Sequence, residues 1–155
     1  MSDDFPPEVM QAFAEHEQQY LTDPDAARLW DPICIGVPGG PVPCLLLFHT
    51  GRRSGKRLKS VLQYYTRNGQ IAIVASKGGA PSHPKWYLNL VADPTCEVWI
   101  GSHKTAATAR AMTQDEHAYW WPEMKAEQPA QVEYEKRTSR QIPLLILELE
   151  KPMPA

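Results

Sequence analysis

No stretch of the sequence approaches the roughly 20 consecutive apolar residues that a membrane-spanning helix needs. Its opening residues, MSDDFPPEVM, are acidic and lack the apolar core of a secretory leader. Neither a span nor a signal peptide is expected, and the expected location is cytoplasmic. Cysteine is scarce. Cys34, Cys44 and Cys96 are odd in number and form no CxxC pair, which argues against a disulfide framework or a zinc site and reads as three free, buried thiols. The five histidines are scattered and show no HExxH spacing. An excess of positive charge is also missing. A net charge of −2 disfavours a general nucleic-acid binder, whose basic surface must be broad rather than local. The sequence has no internal repeat and no low-complexity linker.

What is present is ordinary in amount and specific in arrangement. The 155 residues are 43% apolar and 22% charged, enough for one domain with a real core. The expected division is a single domain over 1–155, with an N-terminal helix and loop over 1–41 and a core over 42–150. Fifteen prolines belong in loops and at strand ends. PEVMQAFAEHEQQYL puts Met10, Phe13, Tyr20 and Leu21 near one helix face. The following segment, DPDAARLWDPICIGVPGGPVP, is broken by Pro and Gly and reads as a loop.

From Cys44 the pattern turns to strands. CLLLFHT suits a strand buried on both faces. LKSVLQYYT and QIAIVAS flank Asn68-Gly69, a strong hairpin signal because both residues tolerate positive φ. PKWYLNLVADP suits one or two helical turns before Pro94. TCEVWI and KTAATARAM form a second hairpin around Gly101-Ser102. Thr113 with Glu116 makes a capping box that opens a helix through Trp120 and Met124, where Pro122 is expected to kink or end it. IPLLILELE is a last strand. The predicted class is mainly β with helices (α+β), with about six antiparallel strands in a small barrel or sheet that carries helices.

Two loops carry the functional signal. In GRRSGKRLKS, five of ten residues are cationic: Arg52, Arg53, Lys56, Arg57 and Lys59. It is not a Walker A loop. It is one residue short between its glycines, has Arg57 where a hydroxyl is needed, and joins two strands rather than opening a helix. Its glycines still allow a backbone N–H nest, Arg52 and Arg53 can fork onto phosphate or carboxylate, and Ser54 and Ser60 add donors. One exposed ion pair contributes only about 0–1 kcal/mol, so useful binding needs a ligand with several negative charges. A plain solvated hairpin explains this stretch alone equally well. The second loop, ASKGGAPSHPKWYLNL, places Ser76, Lys77 and two glycines at a strand end. Trp86 and Tyr87 follow with flat faces that suit either a ring system or the core, and Asn89 can bond a ring edge or cap the segment.

GRRSGK, VASKGGAPSHPKWYLNLVADP, Glu133-Tyr134 and TSRQIPLLILE together resemble the deazaflavin-dependent nitroreductase family, actinobacterial oxidoreductases that use coenzyme F420. The resemblance runs in register from about Cys44 to Glu148 and is looser before it. It implies a split β-barrel of the FMN-binding-like kind and answers what the basic loop holds: the coenzyme's tail, with one phosphate and several carboxylates. By position, Arg52, Arg53 and Ser54 are the tail ligands. Leu58, Lys59, Ser60, Val61, Leu62 and Gln63 run beside the coenzyme. Ala75, Ser76 and Lys77 line its ring, and Lys85, Trp86, Tyr87 and Asn89 close over the ring or the tail. No metal is implied. Ser76 and Tyr134 are the catalytic candidates, aimed at an acceptor oxygen that gains charge.

The chain also departs from the family pattern. Gln63, Gln128 and Gln131 stand where the nitroreductase branch has tyrosines, so only Tyr134 remains of an aromatic wall. These four form the expected substrate set, and a more polar acceptor is expected. Pro-Arg is replaced by Arg57-Leu58, a shift that would flip the cation to the other strand face; Lys59 is the candidate to compensate. The expected function is reduction of a quinone, nitroaromatic or other electron-poor small molecule by reduced F420. The alternatives are a non-catalytic F420-binding or sequestering protein and a split barrel that uses FMN. The expected partners are a small-molecule acceptor and a second copy in a homodimer, with no nucleic acid.

Overall fold

The computed structural model describes residues 5–154. Its elements in chain order are α1 (Pro7–Thr22), α2 (Pro24–Ala27), β1 (Leu29–Trp30), β2 (Val42–Thr50), β3 (Arg57–Gln63), β4 (Tyr65–Arg67), β5 (Gln70–Val74), α3 (Lys85–Ala92), β6 (Thr95–Ile100), β7 (His103–Ala111), α4 (Gln114–Glu127), α5 (Ala130–Arg137) and β8 (Leu144–Leu149). Short 3-10 turns lie at Pro32–Ile35 and Lys77–Gly79.

All strand pairs are antiparallel, in the order β3-β2-β6-β7-β8-β5-β4, with β1 adding to the start of β2. β3 and β4 are separated only by Tyr64, yet they lie at opposite ends of this order. The sheet must therefore curl until its ends meet at Tyr64. Beyond that point β3 and β5 touch but share no ladder. This seam is the split in a split β-barrel.

Alternation explains the layers. Leu45, Leu47, Ile71, Ile73, Val98, Ile100, Leu145 and Leu147 fill the barrel, and Trp86 and Leu90 of α3 plug one end. Leu46 and Phe48 face outward to Tyr20 of α1. Ala72, Leu144 and Ile146 face outward to Trp120, Trp121 and Met124 of α4. β2 is continuously apolar because both of its faces are covered. The Tyr20 hydroxyl ties α1 to the barrel, donating to the Cys44 carbonyl at 2.8 Å and accepting from the Gly101 N–H at 2.8 Å.

Several expectations are corrected. The run LKSVLQYYT is not one arm of a hairpin with β5: residues 57–63 pair with β2, and only Tyr65–Arg67 pair with β5. Together with the short β1, this break raises the strand count to eight among the described residues. The segment read as a loop holds α2, β1 and a 3-10 turn, with Asp23 and Asp31 side chains capping the two helical pieces. On α1 the buried residues are His16 and Tyr20, while Met10 and Leu21 are exposed. Cys44 is buried and Cys96 half-buried, but Cys34 is exposed. Pro122 lies inside α4 without ending it, because burial of Trp120, Trp121 and Met124 outweighs one missing N–H. The capping box forms: Thr113 Oγ1 accepts from the Glu116 N–H, and Glu116 Oε1 accepts from the Thr113 N–H. Arg110 grips Glu116 through both carboxylate oxygens and, with these bonds, holds its carboxyl down at about 2.

Candidate active site

The seam is flanked by the two loops that carry the sequence signal. The basic loop joins β2 to β3 as a tight turn. The Gly51 N–H donates to the Lys56 carbonyl at 2.8 Å, and the Gly55 N–H to the Gly51 carbonyl at 2.8 Å. Gly55 is left-handed at φ +70°, and Ser54 Oγ accepts from the Lys56 N–H at 3.1 Å. A Cβ on Gly51 would stand 2.5 Å from Ser54 Oγ, so a larger residue there would have to turn the Ser54 hydroxyl out of its bond to the Lys56 N–H. Arg52, Arg53 and Ser54 are exposed. The Arg52 N–H and Nη1 both donate to Asn89 Oδ1 of α3, at 3.1 and 3.3 Å. This bond joins the basic loop to the second signal stretch.

That stretch leaves β5 at Ala75. Lys77, Gly78 and Gly79 are consecutively left-handed, with φ of +47°, +63° and +82°. The loop is held from behind by Arg140. Its Nε donates to the Ala80 carbonyl at 2.9 Å, Nη1 to the Ala75 carbonyl at 3.2 Å and Nη2 to the Ser76 carbonyl at 2.9 Å. Nη1 also lies 3.1 Å from His83 Nδ1, and the His83 ring lies 4.8 Å from that of Tyr87. A planar fork with five donors suits this task and a lysine does not. Arg137 adds a bond to the Gly78 carbonyl. Ser76 is buried, and Lys77 Nζ reaches Ser82 Oγ at 3.4 Å.

α5 carries Gln131 and Tyr134, the C-cap of α4 carries Gln128, and β3 ends on Gln63. Gln131 Nε2 donates to the Tyr65 hydroxyl at 3.3 Å, and Gln128 Nε2 to Gln63 Oε1 at 3.4 Å. The Ala130 N–H fixes the Gln128 amide through its Oε1. Gln63 Nε2 and Gln131 Oε1 are buried with no partner. Gln63 and Gln128 also line a cleft of about 230 Å³ with Val42, Pro43 and Glu127. Tyr134 is half-buried against the α4 cluster, with the Arg137 guanidinium 5.5 Å from its ring. Burial raises its pKa, so the phenol keeps its proton at neutral pH.

The strand residues divide by face. The register sets Leu58, Ser60 and Leu62 opposite His49, Leu47 and Leu45, toward the barrel interior. Lys59, Val61 and Gln63 stand opposite Phe48, Leu46 and Cys44, toward the outer face. Arg57 shares that outer face. It pairs with Glu97 at 2.9 Å and lies over Phe48, so it is committed away from the seam's interior. Trp86 is packed in the barrel core, Tyr87 is half-buried and Lys85 is exposed at the start of α3.

The structure thus links the basic loop, α3, the 75–83 loop and α5 along one seam. Two residues that hold it were missed as site residues. Arg140 lies in the quoted motif TSRQIPLLILE but carried no role. His49 accepts from Asn89 Nδ2 at 3.0 Å, and only its intrusion into the apolar run CLLLFHT marked it.

The exposed cations Arg52, Arg53 and Lys56 suit an anionic ligand. Exposed arginines lie at one end, and a left-handed turn lies at the other, where Phe5 Cε1 would stand in van der Waals contact, at 3.7 Å, with a Cβ added at Gly78. β3 uses only one edge for its ladder. A barrel open at such a seam defines a split-barrel cofactor protein. Comparison narrows the class, since the model of the F420H(2)-dependent quinone reductase family matches residues 32–149, and the chain belongs to that family. It is 35% identical over 114 residues to an F420H(2)-dependent quinone reductase of Mycobacterium tuberculosis, covering 72% of this chain and 76% of that protein. The structure of an F420-H2 dependent reductase (FDR-A) superposes with a TM-score of 0.62 at 40% identity, over 68% of this chain and 94% of that one. A domain-swapped dimer superposes at 0.64 with 32% identity, over 87% and 96%.

Among the described residues, no helix is long and apolar enough to cross a membrane. No group of three or more His, Cys, Asp or Glu among them could hold a metal ion.

Proposed function

We propose that this chain is an F420-dependent oxidoreductase that reduces a quinone or a similarly electron-poor small molecule. The observation that carries the reading is the Arg52–Asn89 bond, which joins the cationic loop to α3, the helix that follows the 75–83 loop. Arg52, Arg53 and Ser54 would hold the phosphate and carboxylates of the tail. Ala75, Ser76 and Lys77 would line the ring, with the free edge of β3 alongside. Reduced F420, when bound, supplies two electrons as a hydride, and with one further proton a quinone becomes a hydroquinone.

The protein's own part is position and proton delivery. Arg140 holds the Ala75 and Ser76 carbonyls, which fixes the backbone under the ring. Ser76 would donate a hydrogen bond to the acceptor oxygen, and the protonated Tyr134 phenol would pass it a proton. The unpartnered amide N–H of Gln63 and carbonyl of Gln131 suit an acceptor that both takes and gives hydrogen bonds. A tyrosine wall would add stacking faces and phenolic proton donors, which glutamines lack. The domain-swapped relative supports a homodimer as the working assembly.

The test is turnover of reduced F420 with a water-soluble naphthoquinone. Tyr134→Phe should lower turnover by about a hundredfold or more and leave the coenzyme's dissociation constant unchanged. Wild-type turnover in that variant assigns Tyr134 to packing against the α4 cluster and leaves the proton to another group.

A further inference from the structure

We propose that His49 is a positioning residue for coenzyme binding, which acts through Asn89 to fix the direction of Arg52 at the mouth of the basic loop. The proposal rests on the reading that Arg52 and Arg53 hold the anionic tail.

The direction of the bonds follows from one fixed donor. The Arg52 backbone N–H can only donate, and it meets the Asn89 side chain at 3.1 Å. Asn89 must therefore present Oδ1, which also receives Arg52 Nη1. The reversed amide would set its NH2 against two donors. Its Nδ2 is then turned toward His49 Nδ1 at 3.0 Å, so Nδ1 must be the bare nitrogen and the ring proton sits on Nε2. That nitrogen lies 3.1 Å from Ser60 Oγ on β3. Ser60, His49, Asn89 and Arg52 thus form a directed chain from the barrel strands to the loop. Burial pulls His49 down to about 4, which keeps the ring neutral and Nδ1 an acceptor across the neutral range.

The chain is costly unless it does something. His49 and Asn89 are both buried, and an apolar residue at 49 would continue the run of Leu45 and Leu47 at no desolvation cost. What the polar pair achieves is a rigid attachment of Arg52 to α3 before any ligand arrives. Preorganisation of this kind appears in affinity, because less ordering remains to be done on binding.

The test uses three variants of the full chain and two readouts, amide exchange at Arg52 in the coenzyme-free protein and titration with F420. His49→Leu removes the acceptor. It should speed Arg52 exchange and raise the dissociation constant about fivefold, as expected for one lost hydrogen bond, with the effect on KM for the coenzyme rather than on kcat. His49→Asn puts an oxygen where Nδ1 stood and should restore both readouts. His49→Gln reaches the Nε2 position instead and should not. If the leucine variant does not fold, the Asn and Gln variants carry the same comparison. Equal affinity in the Asn and Gln variants overturns the proposal, and so does faster Arg52 exchange with an unchanged dissociation constant. In the latter case, loss of binding in an Arg52→Ala, Arg53→Ala variant shows that the tail reading itself still stands.

Discussion

Arg140→Ala should unfasten the loop that carries Ser76 and Lys77, lowering both stability and turnover. The guanidinium donates to the carbonyls of Ala75, Ser76 and Ala80 and contacts His83. Gly79 N–H also bonds the Ser76 carbonyl, but the Ala80 and Ala75 carbonyls would lose a charged donor. Hydrogen bonds to charged groups contribute about 1.5–3 kcal/mol each. Water can replace part of that at this half-buried site, so a net loss of about 3 kcal/mol is expected. For a chain of this size that is a fall in Tm of about 10 °C. Misplacement of the backbone under the ring by an ångström is enough to cost about a hundredfold in turnover. Arg140→Lys should recover little, because one point charge cannot serve carbonyls spread along a loop. Thermal melts and turnover on the two variants check this. Wild-type values for the alanine variant would mean that the loop holds itself.

Gly79→Ala should be more damaging than Gly78→Ala, although both residues are left-handed. A side chain at φ +82° costs about 1–2 kcal/mol in itself. At Gly79 the new Cβ would also stand 2.6 Å from the Tyr134 carbonyl oxygen and 2.8 Å from Arg137 Cβ. The first of these is backbone and cannot swing aside. Relief requires α5 to move, and α5 carries Gln131 and Tyr134. Overpacking of this kind adds about 1–3 kcal/mol and displaces the residues proposed to meet the acceptor. At Gly78 only Phe5 Cε1 lies near, at 3.7 Å, so the conformational cost stands alone. The paired variants are compared by chemical denaturation and by turnover. Equal losses would remove the close packing of α5 on the loop as the reason for glycine at 79.

What the sequence revealed follows from how local each signal is. Asn68-Gly69 fixed a turn because two residues determine it, and the turn is there. Thr113 and Glu116 predicted a helix start from three residues' spacing, and both bonds form. The basic loop stood out by composition. The transfer of pairing at Tyr64 could not be read, because YY continues a strand pattern and only closure of the barrel requires the change of partner. α2 and β1 were hidden by Pro and Gly, whose breaking tendency was overridden by Asp caps and by pairing with β2. Trp86 offered a flat face on paper but sits in the barrel end, since α3 is short and buries that side. His49 and Arg140 act across long separations, on Asn89 in one case and Ala75 in the other. Nothing in their own neighbourhoods announces those partners. The glutamines were visible as departures, yet the Gln128–Gln63 and Gln131–Tyr65 bonds depend on how the α4–α5 junction and α5 meet β3 and β4.

The most direct test of the account is a fluorescence titration of oxidised F420 into the wild-type protein and into Arg52→Ala, Arg53→Ala, with FMN as the parallel ligand. The wild type should bind F420 at micromolar or tighter affinity and show no comparable binding of FMN. The double variant should bind F420 at least about tenfold more weakly, because charge-assisted bonds to the tail are gone. Preference for FMN, or F420 affinity that ignores both arginines, would contradict it.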